Sequence, residues 1–147
     1  MMGTPHDALI RQICLQYQLP FALIQSQIVH ESSSDTFAFR FEHGFYTRYI
    51  KDNAEAKAAR FGPLAACSYG LMQIILETAY EIGYDGRPED LFVPRIGLTW
   101  GCKKMRQLWD HVGGQQSTYR QALSRYNGIG SAADAYADVI YNVAENV

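Results

Sequence analysis

Ser68-Tyr69-Gly70-Leu71-Met72-Gln73-Ile74 is the stretch on which the reading of this chain turns. Leu71, Ile74, Ile75, Thr78, Ala79 and Ile82 recur at helical spacing, so a helix is expected over 70–82, with Gly83 as its stop. Gly70 at its opening lets a ligand come close to the backbone. Gln73, expected in the first turn, offers a donor and an acceptor suited to a sugar hydroxyl or an acetamido group. The plainer reading of Gln73 is an ordinary polar residue at a helix start.

Upstream of this stretch the pattern is again helical. Thr4 and Pro5 introduce a helix in which Leu9, Ile10, Ile13, Cys14 and Tyr17 recur through to Gln18. Pro20 starts a second helix with Phe21, Ile24 and Ile28 as a stripe, flanked by Ala22 and Val29. It runs out at His30-Glu31-Ser32-Ser33-Ser34-Asp35, where serines and aspartate compete for backbone hydrogen bonds. Phe37-Ala38-Phe39-Arg40-Phe41 alternates briefly as a strand does, and Asn53 to Arg60 reads as an exposed helix broken by Gly62-Pro63.

Downstream, Asp85 to Pro88 is a turn, and Pro94 opens a long helix to about Val112 with Ile96, Trp100, Met105, Leu108 and Trp109 as its buried side. Gly113-Gly114 separates it from a helix at about 117–125. Gly128-Ile129-Gly130 is a loop, and Ala132 to Val143 forms the last helix, with Tyr136, Val139, Ile140 and Val143 inward. The expectation is a mostly α single domain over 1–147, of about seven to eight helices, with a small irregular or β segment near 36–45.

Composition narrows the function. A chain of 147 residues buries roughly 70% of its unfolded surface. Its 48% hydrophobic and 19% charged residues argue against disorder. The formal charge of −2 carries no basic stripe, so no nucleic-acid partner is expected. Nor is membrane insertion, since no apolar run approaches a membrane span. Cys14, Cys67 and Cys102 read as reduced, mostly buried thiols, and the N-terminus shows no secretory pattern.

Chemistry centres on Glu31. A carboxyl group where an apolar-striped helix ends is expected to be partly desolvated, and desolvation favours the protonated form that a general acid needs. Its plain alternative is a solvated surface charge. Tyr126-Asn127-Gly128 closes another helix with a phenol, an amide and a glycine, which is also an ordinary C-terminal stop.

Taken together, Glu31-Ser32, Ser68 through Ile74, Leu91-Phe92-Val93-Pro94 through Gly101, Ala122 through Gly128 and Tyr136 through Ile140 resemble, in order, the catalytic domain of lytic transglycosylases. The resemblance is to the soluble-transglycosylase, goose-type lysozyme-like group. It covers nearly all of the chain beyond the first helix, and it implies a lysozyme-like fold with a substrate groove. Two departures stand out. Gly97 replaces the family's asparagine, and Ser68 follows Glu31 at a spacing of thirty-seven positions, more than is usual. The extra segment, about 36–66, is similar to that of bacteriophage-encoded members.

The resemblance implies that Glu31 protonates the oxygen between N-acetylmuramic acid and N-acetylglucosamine. The substrate's acetamido oxygen relieves the developing charge, and Glu31 then takes the proton of the muramoyl 6-hydroxyl, leaving a 1,6-anhydro end. Ser68, Met72 and Gln73 match groove positions that position the saccharide, with core packing an equal alternative for Met72. Tyr126 matches a tyrosine whose hydroxyl orients the acid or an intermediate, and Asn127 a residue that helps hold the loop. No cofactor or metal is implied. Peptidoglycan glycan strands are the implied substrate, reached from the cytoplasm by holin-dependent release of an endolysin or by association with a phage virion.

Other classes leave weaker marks in the sequence. Glu42, or Asp35, could hold water as the base of a hydrolytic muramidase, against a plain role for Glu42 in an ion pair with Arg40 or Arg48. A non-catalytic wall-binding or tail module is the alternative outside enzymes. His30-Glu31 invites comparison with a zinc motif, but Ser34 stands where its second histidine belongs. Cys102 and His111 lie on one apolar-patterned helix, which disfavours a cysteine peptidase.

Overall fold

The computed structural model describes residues 3–128 and 130–145. Helices α1 (Asp7–Tyr17) and α2 (Phe21–Ser32) come first, followed by strand β1 (Phe39–Phe41). A short helix α3 (His43–Phe45) runs into a π-turn at Tyr46–Ile50, and a 3-10 segment at Ala59–Ala66 leads to β2 (Cys67–Tyr69) and β3 (Ile74–Ile75). Helix α4 (Leu76–Glu81), a 3-10 turn at Pro88–Phe92, α5 (Pro94–His111), α6 (Tyr119–Asn127) and α7 (Ser131–Glu145) complete the order. The predominantly helical class and the small β segment agree with the sequence reading.

The chain divides into two compact units, one comprising the residues up to His30 with those from Cys102 onward, the other Glu31–Gly101. In the first, Ile10, Ile13 and Cys14 of α1 and Leu23, Ile24 and Ile28 of α2 are buried at the expected helical spacing. Along α7 the buried stripe is Ala133, Tyr136, Ala137, Ile140 and Ala144, while Val139 and Val143 face solvent. The expected inward pair is therefore corrected. Small alanines supply the missing positions of the i, i+3, i+4 pattern, and the valines fall just off it. The rings of Trp109 and Tyr119 meet edge to face, with centroids 4.8 Å apart and planes at 80°.

In the second unit β1 and β3 flank β2, both antiparallel, with Phe39 opposite Tyr69, Arg40 opposite Ser68 and Phe41 opposite Cys67. Period-two alternation sends Cys67, Tyr69 and Ile74 into a core with Ile50, Ala58, Ala65, Leu76, Ala79, Tyr84 and Leu91. Ser68 and Arg40 share the other face.

Two expected helices take other forms. Over 70–75 the chain makes a tight turn and then β3, because Gly70 and Gln73 adopt left-handed backbone at φ 75° and 50°. The helix begins only at Leu76. A short apolar run suits a buried strand as well as a helix, and the turn decides between them. Over 53–58 there are turns, since side chains intercept the backbone donors. Asn53 Oδ1 accepts from the Glu55 amide at 3.1 Å. The carboxylate of Glu77 accepts from Lys57 N at 3.0 Å and Ala58 N at 2.7 Å.

Gly97 also has a steric cause. A Cβ there would stand 2.6 Å from the carbonyl oxygen of Leu91, and one at Gly70 would stand 2.8 Å from the same atom. Backbone cannot swing aside as a side chain does, so only hydrogen fits at these positions.

Candidate active site

Glu31 is the penultimate residue of α2 and is half-buried. The chain leaves the helix through Ser33 and Ser34, both left-handed at φ 52° and 63°. For residues bearing a Cβ such a pair costs on the order of 1–2 kcal/mol each, so neighbouring bonds must hold it. At the helix side, the Ser32 hydroxyl donates to the Leu71 carbonyl at 2.8 Å. Within the turn, Asp35 N donates to Ser32 O at 3.0 Å, and Asp35 Oδ1 accepts from Phe37 N at 2.9 Å. At the far side, Ala38 O accepts from Gly70 N at 2.8 Å and from Gln73 Nε2 at 2.9 Å. Both ends of the two consecutive turns that follow Glu31, Ser32–Asp35 and Asp35–Ala38, are thus bonded to the single tight turn Gly70–Gln73.

Ser68 is buried, and its hydroxyl lies 2.9 Å from both Glu42 Oε1 and Gln73 Oε1. One hydroxyl proton is shared among these acceptors. Glu42 is half-buried just past β1, with its amide donating to Ala66 O at 3.0 Å. Among the described residues no ion pair joins it to Arg40 or Arg48, so its partner is the Ser68 hydroxyl instead. Its charge adds to burial in pushing the neighbouring Cys67 thiol up.

Met72 is fully buried, and a Cβ on Gly101 would meet its sulfur at 2.6 Å, so Met72 takes the core role weighed for it. Gln73 is half-buried in the turn, not in a helix as expected. Asp35 is exposed, one carboxylate oxygen engaged by its own turn. The Glu31–Gly101 unit therefore gathers Ser32, Ser68, Gln73 and Glu42 into bonds around the segment after Glu31.

Tyr126 and Asn127 belong to the other unit, as the last two residues of α6. Tyr126 is buried, with Lys104 Nζ 4.5 Å from its ring centroid, and Asn127 is exposed before Gly128 at φ 145°. The helical stop read from Asn-Gly is where it was expected.

Sequence reasoning missed Glu77. A carboxylate 3% exposed is rare without partners, and Glu77 has two backbone amides. Its partners lie nineteen and twenty residues upstream, so no local pattern announces them. Among the described residues no cluster of three or more His, Cys, Asp or Glu side chains has the makings of a metal site. No helix among them is long and apolar enough to cross a membrane.

Among curated proteins and among solved structures nothing matches this chain. The Transglycosylase SLT domain family matches residues 8–144, nearly the whole length and through both units. The chain belongs to that family, whose members are lytic transglycosylases that cleave peptidoglycan at glycosidic bonds.

Proposed function

We propose that this protein cleaves the β-1,4 bond between N-acetylmuramic acid and N-acetylglucosamine without water, with Glu31 as acid and then base. The observation that carries the reading is the double anchoring of the Glu31 segment to the Gly-Leu-Met-Gln turn, through Ser32 to Leu71 O and through Ala38 O to Gly70 and Gln73. A catalytic acid needs a fixed position, because small displacements of a reacting group are costly in rate.

In the proposed reaction the Glu31 carboxyl gives its proton to the glycosidic oxygen as the C1–O4 bond breaks. The substrate's acetamido oxygen stabilises the electron-poor C1, so no protein nucleophile is used. The Glu31 carboxylate then removes the proton of the muramoyl 6-hydroxyl while O6 bonds to C1. Protons balance, and the product carries a 1,6-anhydro ring. Tyr126 is assigned to orient the acid or the intermediate, and Asn127 to hold its loop. The site of action is the peptidoglycan layer, reached as a phage endolysin or virion-associated lysin.

Glu31→Gln keeps shape and loses the proton, so wall lysis should cease while the circular dichroism spectrum and melting temperature stay at wild-type values. An undiminished lysis rate rejects the assignment. Mass spectrometry of the digested wall addresses the outcome separately. Anhydromuramoyl ends alone are expected, whereas reducing ends would hand the reaction to hydrolysis with Glu42 as base.

A further inference from the structure

We infer that Gln73 is a positioning residue for Glu31 and not a saccharide contact. The argument is an account of its amide. Nε2 has two hydrogens, and two backbone carbonyls receive them, Ala38 O at 2.9 Å and Gly70 O at 3.1 Å. Oε1 faces the Ser68 hydroxyl at 2.9 Å. Reversing the amide would set its oxygen against two carbonyl oxygens, so the orientation is fixed by the partners. No N–H is left to offer a sugar.

What the amide holds is the path out of α2. Ala38 O ends the second of the two turns that run from Ser32, and the Ser32 hydroxyl is bonded to Leu71 O, two residues before Gln73. Gln73 itself sits at φ 50°, where a side chain is strained unless its bonds repay the conformation. The same four-residue turn therefore grips the left-handed Ser33-Ser34 pair from both sides, and Glu31 is the residue directly before the grip. Loosening either bond lets Glu31 drift while leaving the sugar-binding surface chemically unchanged.

The inference rests on Glu31 being the acid proposed above, and three measurements test it. In the wild type, the side-chain amide resonances of Gln73 should exchange slowly with solvent and keep their position on saturation with chitotetraose. A shift of those resonances on saccharide addition overturns the inference. In Gln73→Met, turnover of soluble glycan strands at saturation should fall about tenfold or more while chitotetraose affinity stays within about twofold. Weakened affinity with turnover at saturation retained overturns it. Ser32→Ala and Ser32→Thr cover the case in which Gln73→Met does not fold. The alanine variant should lose turnover at unchanged affinity, and the threonine variant, which keeps the hydroxyl, should recover it. Equal turnover in both overturns the inference. If Glu31→Gln proves fully active, the acid assignment fails, while the amide resonances still report whether Gln73 touches sugar.

Discussion

The two units are held together by different means. In the helical unit, residues up to His30 and from Cys102 onward, long stripes of Ile, Leu, Ala and aromatic side chains carry the packing, pinned by side-chain bonds such as Ser26 to Ile140 O and Gln27 to the Tyr136 hydroxyl. In Glu31–Gly101 the regular elements are short, and side chains reach across the sequence to backbone groups. Ser32 bonds to Leu71 O, Gln73 to Ala38 O, and Glu77 to the amides of Lys57 and Ala58. The Tyr69, Tyr80 and Tyr84 hydroxyls donate to the carbonyls of Leu64, Gly86 and Arg87. Short strands and turns leave many backbone groups without a ladder, and buried ones must find partners elsewhere. The unit that contains the proposed acid therefore leans more on directional bonds to its irregular backbone, and its companion more on the packing of long helical stripes.

The sharpest way to break this contrast is a matched pair of substitutions. Glu77→Leu strands two backbone amides, one at a fully buried residue, and should cost about 3 kcal/mol. Ile140→Ala empties a fully buried site in α7 and should cost about as much, roughly 3 kcal/mol, by cavity formation. Urea midpoints compare them directly, and a Glu77→Leu protein as stable as wild type would end the contrast.

Next in size is Gly97→Asn, which restores the family's residue. It should destabilise by about 2 kcal/mol because the Cβ would meet Leu91 O, a loss readable as a lower melting temperature. A stabilised variant would show that the backbone of residues 88–92 yields easily.

Ser26→Ala removes a polar bond from α2 to α7, to Ile140 O at 2.8 Å, and should cost about 1 kcal/mol in the same urea assay. A cost equal to that of Glu77→Leu would mean that both units depend alike on directional bonds.

The smallest effect concerns Asp7. The Thr4 hydroxyl, helped by the Thr4 backbone, the Gln25 amide and the Arg11 charge, holds its carboxyl below the usual range against a cost of burial second only to that hydroxyl. A lowered carboxyl favours the folded state above the ordinary carboxylate range, and that contribution fades as pH falls through it. Stability measured against pH on the acid side should therefore fall less steeply in Asp7→Asn than in wild type.

The same contrast explains what the sequence disclosed. α1, α2, α5, α6 and α7 were legible because 3.6-residue periodicity is local, with Pro20, Pro94 and Asn127-Gly128 marking boundaries. The irregular unit yielded the short strand at Phe39–Phe41 but not the turn at Gly70–Gln73, whose conformation depends on a carbonyl thirty-five residues upstream of Gln73. For the same reason Gln73 reads as a free amide in sequence and is a committed one in the fold. Glu31, Ser68 and Tyr126 were found through motif order, a signal that says which residues matter and nothing about what each one touches. Val139 and Val143 show the limit of periodicity itself, since alanines at 133, 137 and 144 supplied the buried face.

The cysteines turn this division into something observable without introducing a residue. All three are buried and none is in a disulfide, with Cys67 in the Glu31–Gly101 unit and Cys14 and Cys102 in the other. Burial helps push the Cys67 and Cys102 thiols up, and in Cys102 the contact with Cys14 acts ahead of it, so both are poor nucleophiles in the closed protein. A thiol reagent that reacts only on opening would then time the breathing of each half from within. The ratio of the two modification rates would say which half of this enzyme opens first.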